Sequence, residues 1–83
     1  MNKKRVLLTG GTGFLGRSLG KKLKESGNYE VVVLTGRNNK QNLFAKQFTG
    51  CDVHPMDITN IESVRDVFNE VRPDIVIHCA ATK

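Results

Sequence analysis

The run Thr9-Gly10-Gly11-Thr12-Gly13-Phe14-Leu15-Gly16 limits the possible folds more than any other stretch of the chain. It follows a short apolar segment, Arg5 to Thr9, that reads as a buried strand. It precedes Phe14, Leu15, Leu19 and Leu23, which recur at helical spacing until Gly27-Asn28 stops them. A strand that turns directly into a helix needs glycine for particular reasons. One glycine permits a tight turn at positive φ. Another leaves the backbone open to close approach by a pyrophosphate, and the last lets helix and strand pack tightly. The N–H groups at the helix start are then free to hold an anion at the positive end of the helix. A glycine-rich turn without a ligand is the competing reading, and the strand–turn–helix context weighs against it.

The rest of the chain repeats this alternation. Glu30 to Leu34 is a valine-rich strand closed by Thr35-Gly36. Gln41 to Phe48 predicts a short helix with Leu43, Phe44 and Phe48 turned inward, ended by Thr49-Gly50. Cys51 to Met56 is a weaker strand, because Pro55 suits only an edge or a strand terminus. Thr59-Asn60-Ile61-Glu62 has the form of a capping box. The helix after it places Ile61, Val64, Val67, Phe68 and Val71 on one face, and Arg72-Pro73 ends it. Asp74 to His78 is a fourth strand. The alternation predicts an α/β fold with a parallel sheet buried on both faces. Right-handed crossovers with strand order 3-2-1-4 put the first two helices on one face and the third on the other. Much of that second face is then bare and the fourth strand's outer edge is open, which predicts aggregation or a covering partner.

Composition removes several alternatives. At 83 residues the chain is shorter than most domains. The basic start Met1-Asn2-Lys3-Lys4-Arg5 is followed by only Val6-Leu7-Leu8 before the glycines. An export signal would continue for about 7–15 apolar residues, so a cytoplasmic protein is expected, with no membrane partner. The net charge of +5 is scattered apart from Lys21, Lys22 and Lys24 on a helix, and no aromatic is expected to interleave with that cluster as a stacking platform. A solvated helix face is therefore preferred to a nucleic-acid platform. Cys51 and His54, with His78 and Cys79, invite a zinc reading. The expected strand order sets the two pairs on opposite sheet edges, roughly 14 Å apart at the ~4.8 Å strand spacing. Buried free thiols are expected instead.

The spacing Gly10-x-x-Gly13-x-x-Gly16 resembles the cofactor motif of extended short-chain dehydrogenases/reductases, the NAD(P)-dependent epimerase/dehydratase group with a Rossmann-type sheet. Asp57-Ile58 is similar to that family's adenine-contacting pair. Asp74-Ile75-Val76-Ile77-His78-Cys79-Ala80-Ala81 resembles the strand that ends beside the nicotinamide half. The tail through Thr82-Lys83 is similar to the branch acting on nucleotide sugars in polysaccharide biosynthesis. The resemblance implies cofactor contacts at Gly10, Thr12, Gly13, Phe14, Leu15, Gly16, Arg37, Asn38, Asp57, Ile58, Cys79, Ala80, Ala81 and Lys83. It also implies a nucleotide-sugar substrate for a complete enzyme, and leaves open that such an enzyme is a homo-oligomer.

The cofactor expectation leans to NADP over NAD. An NAD site carries an acidic residue at the end of the second strand to hold the ribose 2′-hydroxyl. Here the stretch is Leu34-Thr35-Gly36-Arg37-Asn38, and Glu30 lies at the other end of the strand. Arg37 offers a planar charged fork suited to a 2′-phosphate, with an ordinary loop arginine as the alternative. Arg17 reads as a helix-surface residue.

No catalytic residue is assigned. The family's chemistry uses a Tyr-x-x-x-Lys pair, and Val33 stands four residues after the lone tyrosine, Tyr29. The chain is therefore expected to be the N-terminal part, 1–83, of a cofactor-binding domain. A deoxysugar 4-keto-reductase is the alternative within the family. A stand-alone dinucleotide-binding module without catalysis is the alternative outside it.

Overall fold

A computed structural model of the chain describes residues 3–79. The elements alternate as β1 (Lys4–Thr9), α1 (Phe14–Ser26), β2 (Tyr29–Gly36), α2 (Asn39–Thr49), β3 (Asp52–Pro55), α3 (Ile61–Val71) and β4 (Ile75–His78). All neighbouring strands are parallel and their order is β3-β2-β1-β4. This is the Rossmann-type α/β sheet expected from the sequence.

The sheet is covered on both faces by alternate residues of its central strands, as a period of two requires. Val6, Leu8, Val32 and Leu34 face one side, where Leu19 and Leu23 of α1 and Ala45 of α2 pack. Leu7 and Val33 face the other, against Val64, Val67, Phe68 and Val71 of α3 together with Met56. Two helices therefore cover one face and a single helix the other, as right-handed crossovers demand. Pro55, which lacks an N–H, is the last residue of the edge strand β3.

Local chemistry sets where the helices begin and end. Gly27 and Gly50 terminate α1 and α2 in the left-handed conformation, at φ 70° and 73°. Arg72 does the same for α3 at φ 50°, without glycine's freedom, and Pro73 follows it. The Asn38 side chain accepts from Gln41 N at 3.0 Å and so caps α2. Asn60 caps α3 by accepting from Glu62 N and Ser63 N at 3.0 and 3.2 Å. The capping box expected at Thr59 is thus replaced by a cap one residue later, while the Thr59 hydroxyl donates to Asp57.

The apolar face of α2 is not the one expected. Leu43, Phe44 and Phe48 are 59%, 50% and 43% exposed, while Asn42, Ala45 and Thr49 are buried. Small side chains let α2 lie close over the sheet and beside α1. The displaced rings stack on each other at 6.0 Å and lie under cations of α1, Phe44 beneath Arg17 at 4.9 Å and Phe48 beneath Lys21 at 4.7 Å. Aromatic and basic residues that are separate in sequence therefore do interleave in space. Phe14 and Leu15 of α1 and Ile61 of α3 are likewise exposed, because each sits at a helix start beyond the sheet.

A polar clamp fastens the amino-terminal ends of the strands. Arg5 N donates to Asp74 Oδ2 at 2.8 Å, and Asp74 N donates to Arg5 O at 2.8 Å. Arg5 Nε donates to Val71 O at the end of α3 at 2.7 Å, and its Nη1 pairs with Glu30 at 3.0 Å. The side chain of Arg5 thus ties β2 and α3 to β1, and its backbone holds Asp74, the residue before β4. Among the described residues, no helix is long and apolar enough to cross a membrane.

Candidate functional site

At the opposite, carboxyl ends of the strands, β1 runs into the glycine turn. Gly10 takes φ 68°, which only glycine adopts without strain. Its N–H donates to Thr35 Oγ1 at 3.3 Å, tying the turn to β2. Gly11 N donates to Leu8 O at 3.1 Å and Gly13 N to Gly10 O at 3.3 Å, closing the turn on itself. A Cβ on Gly16 would stand 2.5 Å from Gly11 Cα, so the third glycine brings α1 onto the turn. A Cβ on Gly13 would meet only Gly10 O, at 3.6 Å, so the protein itself does not require glycine there.

The turn borders a cleft of about 500 Å³. Gly10, Thr12, Gly13, Phe14, Leu15, Gly16, Arg37 and Cys79, all expected site residues, line it. Gly36 and Gln41 also line it and were not anticipated. The N-cap of α1 is Gly13, which has no side chain to cap the helix. The first-turn N–H groups have no partner within the helix. Phe14, Leu15 and Gly16, which carry them, border the cleft, and the first turn holds no acidic residue. This is an anion-binding arrangement, and its open backbone at Gly13 fits a pyrophosphate.

Gly36 explains how β2 comes so close to the turn. A side chain there would overlap Thr12 Oγ1 and stand 2.5 Å from Asn42 Oδ1. Its carbonyl accepts from Asn42 Nδ2 at 2.9 Å and from Met56 N at 3.1 Å. A glycine at the carboxyl end of a strand was the signal available in sequence. Its meaning depends on which residues meet it from the first turn and α2.

Arg37 follows Gly36 and opens toward solvent, its side chain 73% exposed, with Nη1 3.8 Å from Asp57 Oδ1. Asp57 Oδ1 accepts from the Thr59 hydroxyl at 2.6 Å and from Thr59 N at 3.0 Å. These bonds, and then the Arg37 charge, hold its carboxyl below the usual aspartate range. Asp57 and the exposed Ile58 lie beside the cleft lining, not within it. Asn38 is engaged in capping α2. Arg17 folds back from α1, its Nη1 donating to Thr12 O at 3.4 Å, with its guanidinium over Phe14 and Phe44. It braces the turn from the helix surface.

On the far side, Cys79 N donates to Thr9 O at 2.7 Å, and the Thr9 hydroxyl meets His78 Nδ1 at 2.6 Å. Burial pushes the thiols of Cys79 and Cys51 up, the opposite of an activated nucleophile. Ala80, Ala81 and Lys83 lie outside the described residues. The sheet order sets Cys51 and His54 beside β3, at one edge, and His78 and Cys79 at β4, the other. His54 pairs with Glu70 at 3.0 Å. Tyr29 begins β2 opposite Lys4, at the end of the sheet away from the cleft. The described groups in the cleft are thus suited to holding an anionic ligand.

Residues 6–83 match the NAD dependent epimerase/dehydratase family. The chain is 37% identical over 84 residues to a UDP-glucose 4-epimerase of Neisseria meningitidis serogroup B, covering 96% of this chain and 25% of that protein. It is 35% identical over 77 residues to a dTDP-4-dehydrorhamnose reductase of Aggregatibacter actinomycetemcomitans, covering 93% and 20% respectively. Among solved structures, a monomeric L-threonine 3-dehydrogenase from a metagenome superposes with a TM-score of 0.74 at 27% identity, over 93% of this chain and 23% of that one. The chain spans a quarter or less of the length of these proteins. The glycine turn, the sheet order and the family match agree, and the chain belongs to the NAD dependent epimerase/dehydratase family.

Proposed function

We propose that this chain is the cofactor-binding front of an NADP-dependent enzyme acting on a nucleotide sugar, an epimerase or dehydratase of polysaccharide biosynthesis. In this reading Gly10, Thr12, Gly13, Phe14, Leu15 and Gly16 hold the pyrophosphate. Arg37, with Asn38 beside it, meets the 2′-phosphate. Asp57 and Ile58 bound the adenine, and Cys79, Ala80 and Ala81, with Lys83, approach the nicotinamide half. The bound cofactor would supply hydride transfer. The residues of this chain bind and orient it, and the acid–base groups belong to sequence beyond residue 83. A cytoplasmic location accompanies this reading.

The observation that carries the proposal is the placement of Arg37 on the same cleft as the glycine turn, at the end of β2 where an NAD site would hold a carboxylate. The nucleotide-sugar part is supported by the names of the two curated relatives, a UDP-glucose epimerase and a dTDP-sugar reductase. The second name also favours an alternative, a deoxysugar 4-keto-reductase.

Calorimetric titration with NADPH and NADH, repeated on Arg37→Ala, tests the cofactor assignment. The expected result is tighter binding of NADPH, with the preference lost in the variant. A preference for NADH that Arg37→Ala leaves intact would reject the role given to Arg37.

A further inference from the structure

Arg37 and Asp57 reach the site from the ends of adjacent strands, β2 and β3, and differ in freedom. Asp57 is fixed. Its Oδ1 accepts two hydrogen bonds from Thr59, and its own N–H donates to Ser63 Oγ at 3.0 Å. Among the described residues Arg37 is tethered only through the 3.8 Å ion pair, and most of its side chain is exposed. A 2′-phosphate that recruits Arg37 therefore meets a guanidinium already facing a carboxylate. Two effects then act in one direction. The guanidinium must share or leave its partner, and the immobile carboxylate repels the arriving dianion. Neither effect applies to a ribose carrying a hydroxyl at that position.

We infer that Asp57 is a specificity-determining residue, which restrains Arg37 and lowers the preference of this site for a 2′-phosphorylated dinucleotide. The inference rests on the reading of Arg37 as the 2′-phosphate ligand. Its consequence is a site that takes both dinucleotides with only a modest preference, set by a charge pair across two strands. Any adenine contact by Asp57 is a separate role. The hydrogen bonds from Thr59 keep the carboxylate in place, and an asparagine preserves that acceptor while removing the charge.

The test measures the affinities of NADP⁺ and NAD⁺ for the complete protein that carries this chain, as wild type, Asp57→Asn, Arg37→Ala and the double variant. Asp57→Asn should tighten NADP⁺ by up to about fivefold, the scale of an exposed ion pair, and move NAD⁺ much less. The gain should shrink in the Arg37→Ala background. Weaker NADP⁺ binding in Asp57→Asn would mean that Asp57 positions Arg37 productively, and would overturn the inference. So would an equal change for both cofactors. If Arg37→Ala itself leaves NADP⁺ affinity unchanged, the reading of Arg37 fails, and this inference with it. If Arg37→Ala weakens NADP⁺ while Asp57→Asn does not strengthen it, only the inference fails. A cofactor-free measurement runs alongside. The Asp57 carboxyl, followed by NMR against pH, should titrate slightly higher in Arg37→Ala. An unmoved titration means that the pair is not formed in solution and overturns the inference.

Discussion

Single residues decide how closely the first two strands and the first two helices approach. Leu34 is fully buried and fills the space left by two glycines. A Cβ on Gly20 would lie 2.6 Å from Leu34 Cδ2, and one on Gly11 would lie 3.0 Å from it. Gly36 plays the same part at the cleft, against Thr12 and Asn42. Gly36→Ala should therefore cost about 1–3 kcal/mol, as overpacking of a close contact does, and should weaken dinucleotide binding by shifting the turn. Urea denaturation with a parallel titration checks both effects, and an alanine variant with unchanged stability and binding would show that the turn can yield. In the linear sequence Gly36 differs from Gly27 and Gly50 only in closing a strand where they end helices. Those two serve φ, whereas Gly36 serves space.

At the scale of elements, period and capping residues placed every strand and helix, yet misjudged one helix face. The apolar residues of α2 gave the expectation of Leu43, Phe44 and Phe48 inward, and the helix turned Asn42, Ala45 and Thr49 to the core instead. Hydrophobicity alone could not reveal this. The ring burial forgone is partly offset by stacking and by cations that α1 supplies from a distant part of the sequence. At α3 the asparagine, not the preceding threonine, became the cap, because Thr59 is committed to the Asp57 carboxylate. Asn60→Ala should accordingly destabilise the chain by about 1 kcal/mol, and Thr59→Ala should leave the α3 cap intact. Helix content followed through thermal unfolding separates the two, and equal losses would contradict this assignment of the cap.

For the whole molecule the decisive property is the strand order. It makes β1 the centre, brings the ends of β1 and β2 to one cleft, and leaves β4 paired through β1 alone among the described residues. Val76 pairs with Leu7 on the face that α3 covers and is 46% exposed there. Ile75, which pairs with Val6 and so faces the other side, is 37% exposed. Apolar side chains exposed on both faces of an open edge strand invite association. Residues 1–83 expressed alone should therefore self-associate or aggregate in size-exclusion chromatography. A monomer with a sharp thermal transition would show that the chain is sufficient by itself. Charge is also divided between the layers. Arg17, Lys21, Lys22, Lys24, Lys40 and Lys46 sit on α1 and α2 against Glu25 alone, while α3 carries Glu62, Asp66 and Glu70 against Arg65.

The sequence by itself determined the βα alternation, the parallel sheet, the helix ends and the glycine turn with its anion-binding character. Each of these depends on neighbours within a few residues or on a repeating period. Tertiary structure alone decided the relations between residues far apart in the chain. It set the fit of Gly36 to Thr12 and Asn42, the fourfold grip of Arg5 on the strand ends, the turn of α2 away from its own aromatics, and the pairing of Arg37 with Asp57. Such contacts are fixed by how layers close on one another, and no local pattern carries the distances on which they depend.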